Sequence, residues 1–203
     1  MATNSSIIDT LDTRLVARPD RQRRAGQVAI ASGSLFLVMT LTEYAYGLYP
    51  GTATGPAFVV GQLVFFAAMA GEVAAIVLLL TARTAGRGAF ALVAGSLQSL
   101  GIAALIAAGL ADIGSGSQES WVYPVAGMAN MLGGLLLGIA LALPGRLSGW
   151  RRWTAIGFGV VPAFVVTPVL IAGGSVVVES LWPLAWVLLG IALISDAKRQ
   201  PGA

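Results

Sequence analysis

The sequence predicts an all-α, polytopic transmembrane helical bundle with six spans. Composition is the first observation: 57% of the 203 residues are apolar and only 10% are charged, against roughly 25% charge in an ordinary soluble domain. The second is block structure, because the apolar residues gather in long runs separated by short polar turns. The third is where the 12 basic residues fall. Arg14, Arg18, Arg21, Arg23 and Arg24 precede the first run, and Arg83 and Arg87 lie between the second and third. Arg146, Arg151 and Arg152 lie between the fourth and fifth, and Lys198 and Arg199 follow the sixth. The alternate connections carry only Asp112, Glu119 and Glu179 as charged groups. Short cytoplasmic loops of membrane proteins are enriched in Lys and Arg. The alternation therefore predicts a multi-pass protein of the cell inner (plasma) membrane, with both termini in the cytoplasm.

Residues 1–24 form a cytoplasmic tail in this reading. Ser6 and Asp9 have the spacing of a capping box, and Ile8, Leu11 and Leu15 recur at helical spacing. Pro19 should stop that short helix and Asp20 should cap the next. One reading is an amphipathic helix lying on the bilayer, held by Arg18, Arg21, Arg23 and Arg24 against anionic lipid head groups. The other is a tail whose arginines only orient the first span.

Residues 25–196 form the six-helix transmembrane domain, with spans expected at 27–48, 57–82, 89–111, 122–143, 153–172 and 181–195, followed by a cytoplasmic tail at 197–203. A bilayer core of about 30 Å requires about 20 helical residues. The first run is too long for a signal-peptide core and should stay as a span. The sixth is short, so it either tilts less, begins within 173–180, or sits partly at the interface. The first and second connections, 49–56 and 83–88, are short enough to make consecutive spans neighbours. The third, about 112–121, is longer and rich in Gly and Ser, and is expected to be an external loop. Trp121, Tyr123 and Trp182 are assigned to the outer aromatic belt, and Trp150 and Trp153 to the inner one.

Within the spans, Gly134 with Gly138 and Gly95 with Ser99 form small-xxx-small faces that favour close helix packing. Pro162 and Pro168 remove two backbone donors and should kink or locally unwind the fifth span. A faint repeat aligns 29–35 with 91–97, matching Gly33 to Gly95, as in proteins built from repeated hairpins.

Glu72 is the leading site candidate. It lies near the midplane of the second span, where a carboxyl group must be protonated, paired or turned toward a polar cavity. No basic residue lies inside any span to pair with it. Gln98 lies at nearly the same depth on the third span, and Asn130 lies slightly outward on the fourth. Glu43 and Tyr46 on the first span and Gln62 on the second extend this set toward the outside. Together they predict an outward-opening polar path for a small solute or an amphipathic or cationic ligand, with Glu72 coupling a proton. Two bland alternatives stand beside it: Glu72 as a neutral polar staple between helices, and the tyrosines as the outer aromatic belt.

Several chemistries are disfavoured. The chain has no His and no Cys, which removes the common zinc, haem and copper ligand sets. No catalytic residue, metal or cofactor is assigned. Glu43 and Glu72 differ in depth by roughly 12 Å, too far for a paired-carboxylate site. No phosphate-binding glycine loop is present. The net charge of +3 belongs to topology rather than to nucleic-acid binding. The expected partners are the lipid bilayer, anionic lipids at the cytoplasmic face, and a membrane-protein partner or a second copy of the chain. Small-solute transport or binding is the leading function, and a non-catalytic partner subunit or assembly factor is the alternative. A lipid-modifying enzyme comes third, because a second catalytic group is missing.

Short stretches across the chain resemble an uncharacterised family of bacterial six-span integral membrane proteins. They are Arg24-Ala25-Gly26 followed by Ser34-Leu35-Phe36-Leu37, then Arg146-Leu147-Ser148-Gly149-Trp150 with Ala155-Ile156-Gly157, and finally Glu179, Pro183 and Gly190. The chain departs from that pattern in lacking Pro-Arg before the Trp of the fourth connection and in placing Glu179 before Pro183. The resemblance implies six spans and carries no activity with it.

Overall fold

The computed structural model describes residues 19–45, 55–86, 88–115, 122–143, 147–172 and 176–199, with only the backbone described at 43, 57, 115, 170 and 176. All six spans are present, and the described residues contain helices and no strand. Their helices run Pro19–Ala45, Pro56–Ala82, Ala89–Ser115, Val122–Ala142, Trp150–Ile171 with a π-helical interruption, and Val176–Ala197 with a break at Ser180. The protein is a multi-pass membrane protein.

The first helix begins well before the expected start of its span. Pro19 is the first residue of this helix, where a proline loses no helical hydrogen bond. Asp20 in that turn complements the positive helix terminus. Arg21, Gln22, Arg23 and Arg24 are thus the first turns of span one. The expected surface helix before Pro19 lies outside the described residues.

The second helix ends at Arg83, whose backbone takes a left-handed conformation at φ 64°. Its N–H donates to Leu80 O at 3.1 Å and the Thr84 N–H to Leu79 O at 3.2 Å, closing the last turn. Gly86 at φ 96° then reverses the chain, a conformation that suits a residue without Cβ.

The third helix continues to Ser115, so Asp112 through Ser115 are helical and do not belong to a loop. Asp112 is buried because the Tyr123 hydroxyl donates to its carboxylate across the third hairpin. The fifth span is helical to Val161, π-helical over Pro162–Val166 and helical again from Thr167. The wider turn makes the Thr167 N–H donate to the Pro162 carbonyl, which also accepts from Thr167 Oγ1 at 2.9 Å. The sixth span does begin within the expected loop, through the short helix at 176–179.

Each span packs on its neighbours in the chain, and the sixth returns to the first, which closes a ring. The closing seam is tight at Gly26 and Gly190, where a Cβ on Gly26 would come 2.7 Å from Gly190 O. Gly33 on span one faces Pro183 and Trp186 of span six, while Gly95 on span three faces Ile76 and Leu80 of span two. Each faces the preceding helix of the ring, the first meeting backbone and the second only side chains.

Inside the ring lie Met69, Ile76, Leu79, Leu137, Leu141, Trp186, Leu189 and Leu193, all buried. Outward-facing positions are apolar too, including Val60, Leu100, Met128 and Leu188. That is the inside-and-outside apolarity of helices solvated by lipid.

Candidate functional site

Four buried polar side chains occupy one layer of the bundle. Glu72 on span two and Trp186 on span six are fully buried, and Gln98 on span three and Asn130 on span four are 3% and 2% exposed. At the helical rise, all four lie roughly 14–18 Å from the end of the bundle that carries the basic residues. Half of a bilayer core is about 15 Å, so this is the midplane.

Spans three and four hold the two amides by reciprocal packing. Gly133 lies so close to Gln98 that an added Cβ would strike its backbone N, and Gly101 is in the same relation to Asn130. Each amide is therefore three residues before the glycine that receives the other: Gln98-Ser99-Leu100-Gly101 and Asn130-Met131-Leu132-Gly133. Gly134 adds space beside the Gln98 side chain, where a Cβ would lie 3.1 Å from Nε2. The Gly134/Gly138 face expected on one side of span four is shared instead: Gly134 meets Gln98 of span three, and Gly138 meets Ala155 and Gly159 of span five.

Gln98, Asn130 and Trp186 line one cavity of about 10 Å³, together with Gly134, Gly159 and Pro162. That volume accommodates one water-sized guest. Phe158, Trp182 and Met131 complete the wall. Phe158 and Trp186 meet edge to face with centroids 4.7 Å apart, which fixes the indole. The π-helical turn starting at Pro162 forms part of the same wall, and such turns bend a helix around an inserted space.

The polar atoms of this layer are poorly matched. Both Glu72 carboxyl oxygens, Gln98 Oε1, Asn130 Oδ1 and Trp186 Nε1 are buried without a completed hydrogen bond. The Trp186 indole N–H lies beside the Glu72 carboxyl, but the pair does not reach good hydrogen-bond geometry. Each unmatched buried group costs about 1–3 kcal/mol. Accumulating them at one depth is therefore expensive for a purely structural core.

Of the other expected site residues, only Gln62 has a described side chain, and it lies away from this layer. Gln62 is half-buried near the outer end, and its Oε1 lies against Gly109 of span three. Tyr46 and the side chain of Glu43 lie outside the described residues. Outward of Glu72, rings fill the space between spans one, two and six. Phe36 packs edge to face on Phe65 at 5.7 Å and on Trp182 at 5.6 Å. Trp182 is half-buried, packs on Phe36 and also lines the cavity. Trp150 and Trp153 are exposed at the basic end, as belt residues are.

A second polar assembly closes the basic end. Gln22 of span one donates from Nε2 to Leu193 O at 3.2 Å and to Asp196 Oδ2 at 3.0 Å, both on span six. Its Oε1 accepts from Thr84 Oγ1, in the turn after span two, at 3.2 Å. Arg151, only 1% exposed, places Nη1 3.5 Å from Asp196 Oδ1 and donates from Nε to Ser195 Oγ at 3.3 Å. Nη1 also reaches the hydroxyl and carbonyl of Ser148.

Sequence reasoning counted Arg151 only as a topological charge and missed Trp186 altogether. Two signals were present. Arg151 and Asp196 stand equally far from the turn of the last hairpin, which antiparallel packing brings together. Trp186 lies in the middle of its span, where an interfacial role is excluded. Among the described residues, no cluster of three or more carboxylates could hold a metal ion. No protein-family model, no curated protein and no solved structure matches this chain.

Proposed function

We propose that this membrane protein binds a small solute in the midplane layer and carries it across the bilayer, with the Glu72 carboxyl exchanging a proton as the guest enters or leaves. One observation carries the reading: unmatched polar atoms from spans two, three, four and six are concentrated at one depth, and those of spans three, four and six line a cavity. A polar staple would satisfy its own groups, as the basic-end assembly largely does. The aromatic packing outward and the polar network at the basic end make this an occluded arrangement, in which opening either end admits solute. The basic end faces the cytoplasm of the cell inner (plasma) membrane, where anionic head groups attract Arg23, Arg24, Arg152, Lys198 and Arg199.

A second reading, a membrane partner subunit or assembly factor, draws support from the small cavity and the apolar outer face. Proteoliposomes loaded with a pH-sensitive dye separate the two. Methylammonium, an amino acid, a sugar and a short carboxylate are each applied as a gradient, with protein-free liposomes subtracted. Transport predicts a solute-driven internal pH change with the native chain and its loss in monodisperse Glu72→Gln. No response to any solute favours the partner reading.

A further inference from the structure

We infer that the ring opens as two three-helix halves, spans six, one and two against spans three, four and five, with the Arg151–Asp196 pair as their latch at the basic end. The inference rests on the proposed transport role for its purpose, while the motion itself is measured apart from flux.

Backbone contact defines each half. In the first, Gly26 and Gly190 bring spans one and six together, and a Cβ on Gly33 would come 2.7 Å from Pro183 O. Gly71 of span two seats on span one, where an added Cβ would lie 2.7 Å from Cβ of Ser32. In the second half, Gly101 and Gly133 lock spans three and four, and a Cβ on Gly138 would come 2.5 Å from Ala155 O of span five. Gly159 of span five answers it, because a Cβ there would come 2.7 Å from Leu135 Cα. Crossings this close cannot adjust by changing a rotamer, so each half moves as a unit.

The two seams between the halves are of another kind. Spans two and three make the least extensive contact of any neighbours in the ring. There Gly95 and Gly109 of span three meet only the side chains of Ile76, Leu80, Phe66 and Gln62. Spans five and six meet through Phe158 on Trp186 and through Arg151 on Asp196 and Ser195. Side-chain surfaces shift by small rotamer changes, which is how packed helices shear past one another.

The chain crosses from half to half twice, and at opposite ends. Residues 83–88 tie the seam of spans two and three at the basic end, and residues 172–175 tie that of spans five and six at the other. Each seam thus has one end that side chains alone hold shut. At the basic end these are Arg151 and its partners, with Nη1 3.5 Å from Asp196 Oδ1 and Nε 3.3 Å from Ser195 Oγ. At the opposite end they are Phe66 and Gln62 against Gly109. Parting one end of one seam opens the interior to one side of the bilayer, and parting the other opens it to the other side.

The midplane layer straddles this division. Glu72 and Trp186 belong to one half, and Gln98 and Asn130 to the other. The cavity lies between the halves, with Trp182 and Trp186 on one wall and Gln98, Asn130 and Phe158 on the facing one. A moving interface accounts for the unmatched Trp186 Nε1, Gln98 Oε1 and Asn130 Oδ1, because each meets water when the halves part. Arg151 Nη2 is also buried without a hydrogen bond, so the latch is incompletely paired and yields more readily than a fully satisfied one.

The test measures distances between paired spin labels by pulsed electron paramagnetic resonance, on the full chain in lipid nanodiscs. The chain has no cysteine of its own, so labels go only where they are placed. Trp153→Cys with Lys198→Cys spans the five–six seam at the basic end, and Val60→Cys with Leu110→Cys spans the two–three seam at the opposite end. Arg24→Cys with Lys198→Cys and Phe90→Cys with Leu143→Cys lie within the halves. All of these positions are exposed. In the native background both cross-half pairs should give broader distributions than both within-half pairs. Asp196→Asn and Asp196→Ala, each monodisperse, should add to the 153–198 pair a population longer by about 3 Å or more, the width of one water. The 60–110 pair should stay short in those variants. Gly109→Leu drives a side chain into Phe66 and should lengthen the 60–110 pair while leaving 153–198 short.

Three results overturn the inference: equal widths for all four native pairs, lengthening of the within-half pairs together with the cross-half ones, or an unchanged 153–198 pair in both Asp196 variants. Selective lengthening without solute-driven flux in proteoliposomes would remove transport and leave the motion. Flux with equal widths in all four pairs would remove the motion and leave transport.

Discussion

Arg151 shows how much a single side chain in this bundle depends on its partners. It is 1% exposed, while Asp196 is 13% exposed, so removing the aspartate leaves a guanidinium with no other ion-pair partner among the described residues. Asp196→Ala should lower stability by about 3 kcal/mol, and Arg151→Met combined with Asp196→Leu should recover most of that loss. Unfolding by SDS titration in mixed micelles measures both, and additive losses in the double variant would contradict the coupling. Trp186 is the second test at this scale. Trp186→Phe keeps a ring against Phe158 but removes the N–H beside Glu72 and part of the indole volume, so it should cost about 1–2 kcal/mol. Trp186→Ala should cost about 3–5 kcal/mol through the cavity it leaves. Equal losses for the two would mean that the N–H, and not the ring, holds this position.

Among the elements, the pairing of spans three and four is set by backbone proximity. A Cβ at Gly101 would meet the backbone of Asn130 and come 2.8 Å from Ala126 O. Neither neighbour is the end of a flexible side chain, so the helices must part. Gly101→Ala should therefore cost about 1–3 kcal/mol. Gly127, on the same span as Asn130, faces open space, and Gly127→Ala should be neutral or stabilising because alanine is the better helix former. The same unfolding assay compares them, and equal effects at the two sites would show that the close crossing contributes nothing. The boundaries of these elements were only partly legible. Pro162 and Pro168 announced a disturbance in span five, but its π-helical form follows from the register forced on Thr167, which donates to Pro162 O. Pro19 opens span one because a proline in the first helical turn loses no hydrogen bond, and the helix expected to stop there lies outside the described residues.

At the scale of the whole molecule, the ring places Arg23, Arg24, Arg83, Arg152, Lys198 and Arg199 at one end, since Gln22, Thr84, Arg151 and Asp196 are joined there by side-chain contacts. The chain contains no cysteine, so single cysteines can be labelled without background. Ser148→Cys and Arg199→Cys in intact cells should react with an impermeant maleimide only after the membrane is opened, and Ser117→Cys should react before. Reaction of position 148 from outside would invert the orientation, and opposite sides for 148 and 199 would break the six-span count.

Span number, the sharing of one end by the basic residues and the midplane depth of Glu72, Gln98 and Asn130 were all readable along the chain. They depend on hydrophobic length, on the spacing of charges and on a rise of 1.5 Å per residue, which are properties of one dimension. Which residues face one another around the axis is a different kind of information. A chain apolar both inside and outside gives little signal of helix rotation, because the lipid accepts the same side chains as the core. Trp186 beside Glu72, Trp182 turned inward onto Phe36, and Arg151 paired with Asp196 were therefore decided only when the sixth span closed the ring against the first and fifth. The outward path expected through Glu43, Tyr46 and Gln62 rested on depth and on helical spacing, and of these three side chains only that of Gln62 is described. Rotation put Gln62 against Gly109 and filled the space outward of Glu72 with rings, because in a packed bundle the azimuth of a side chain determines what it touches.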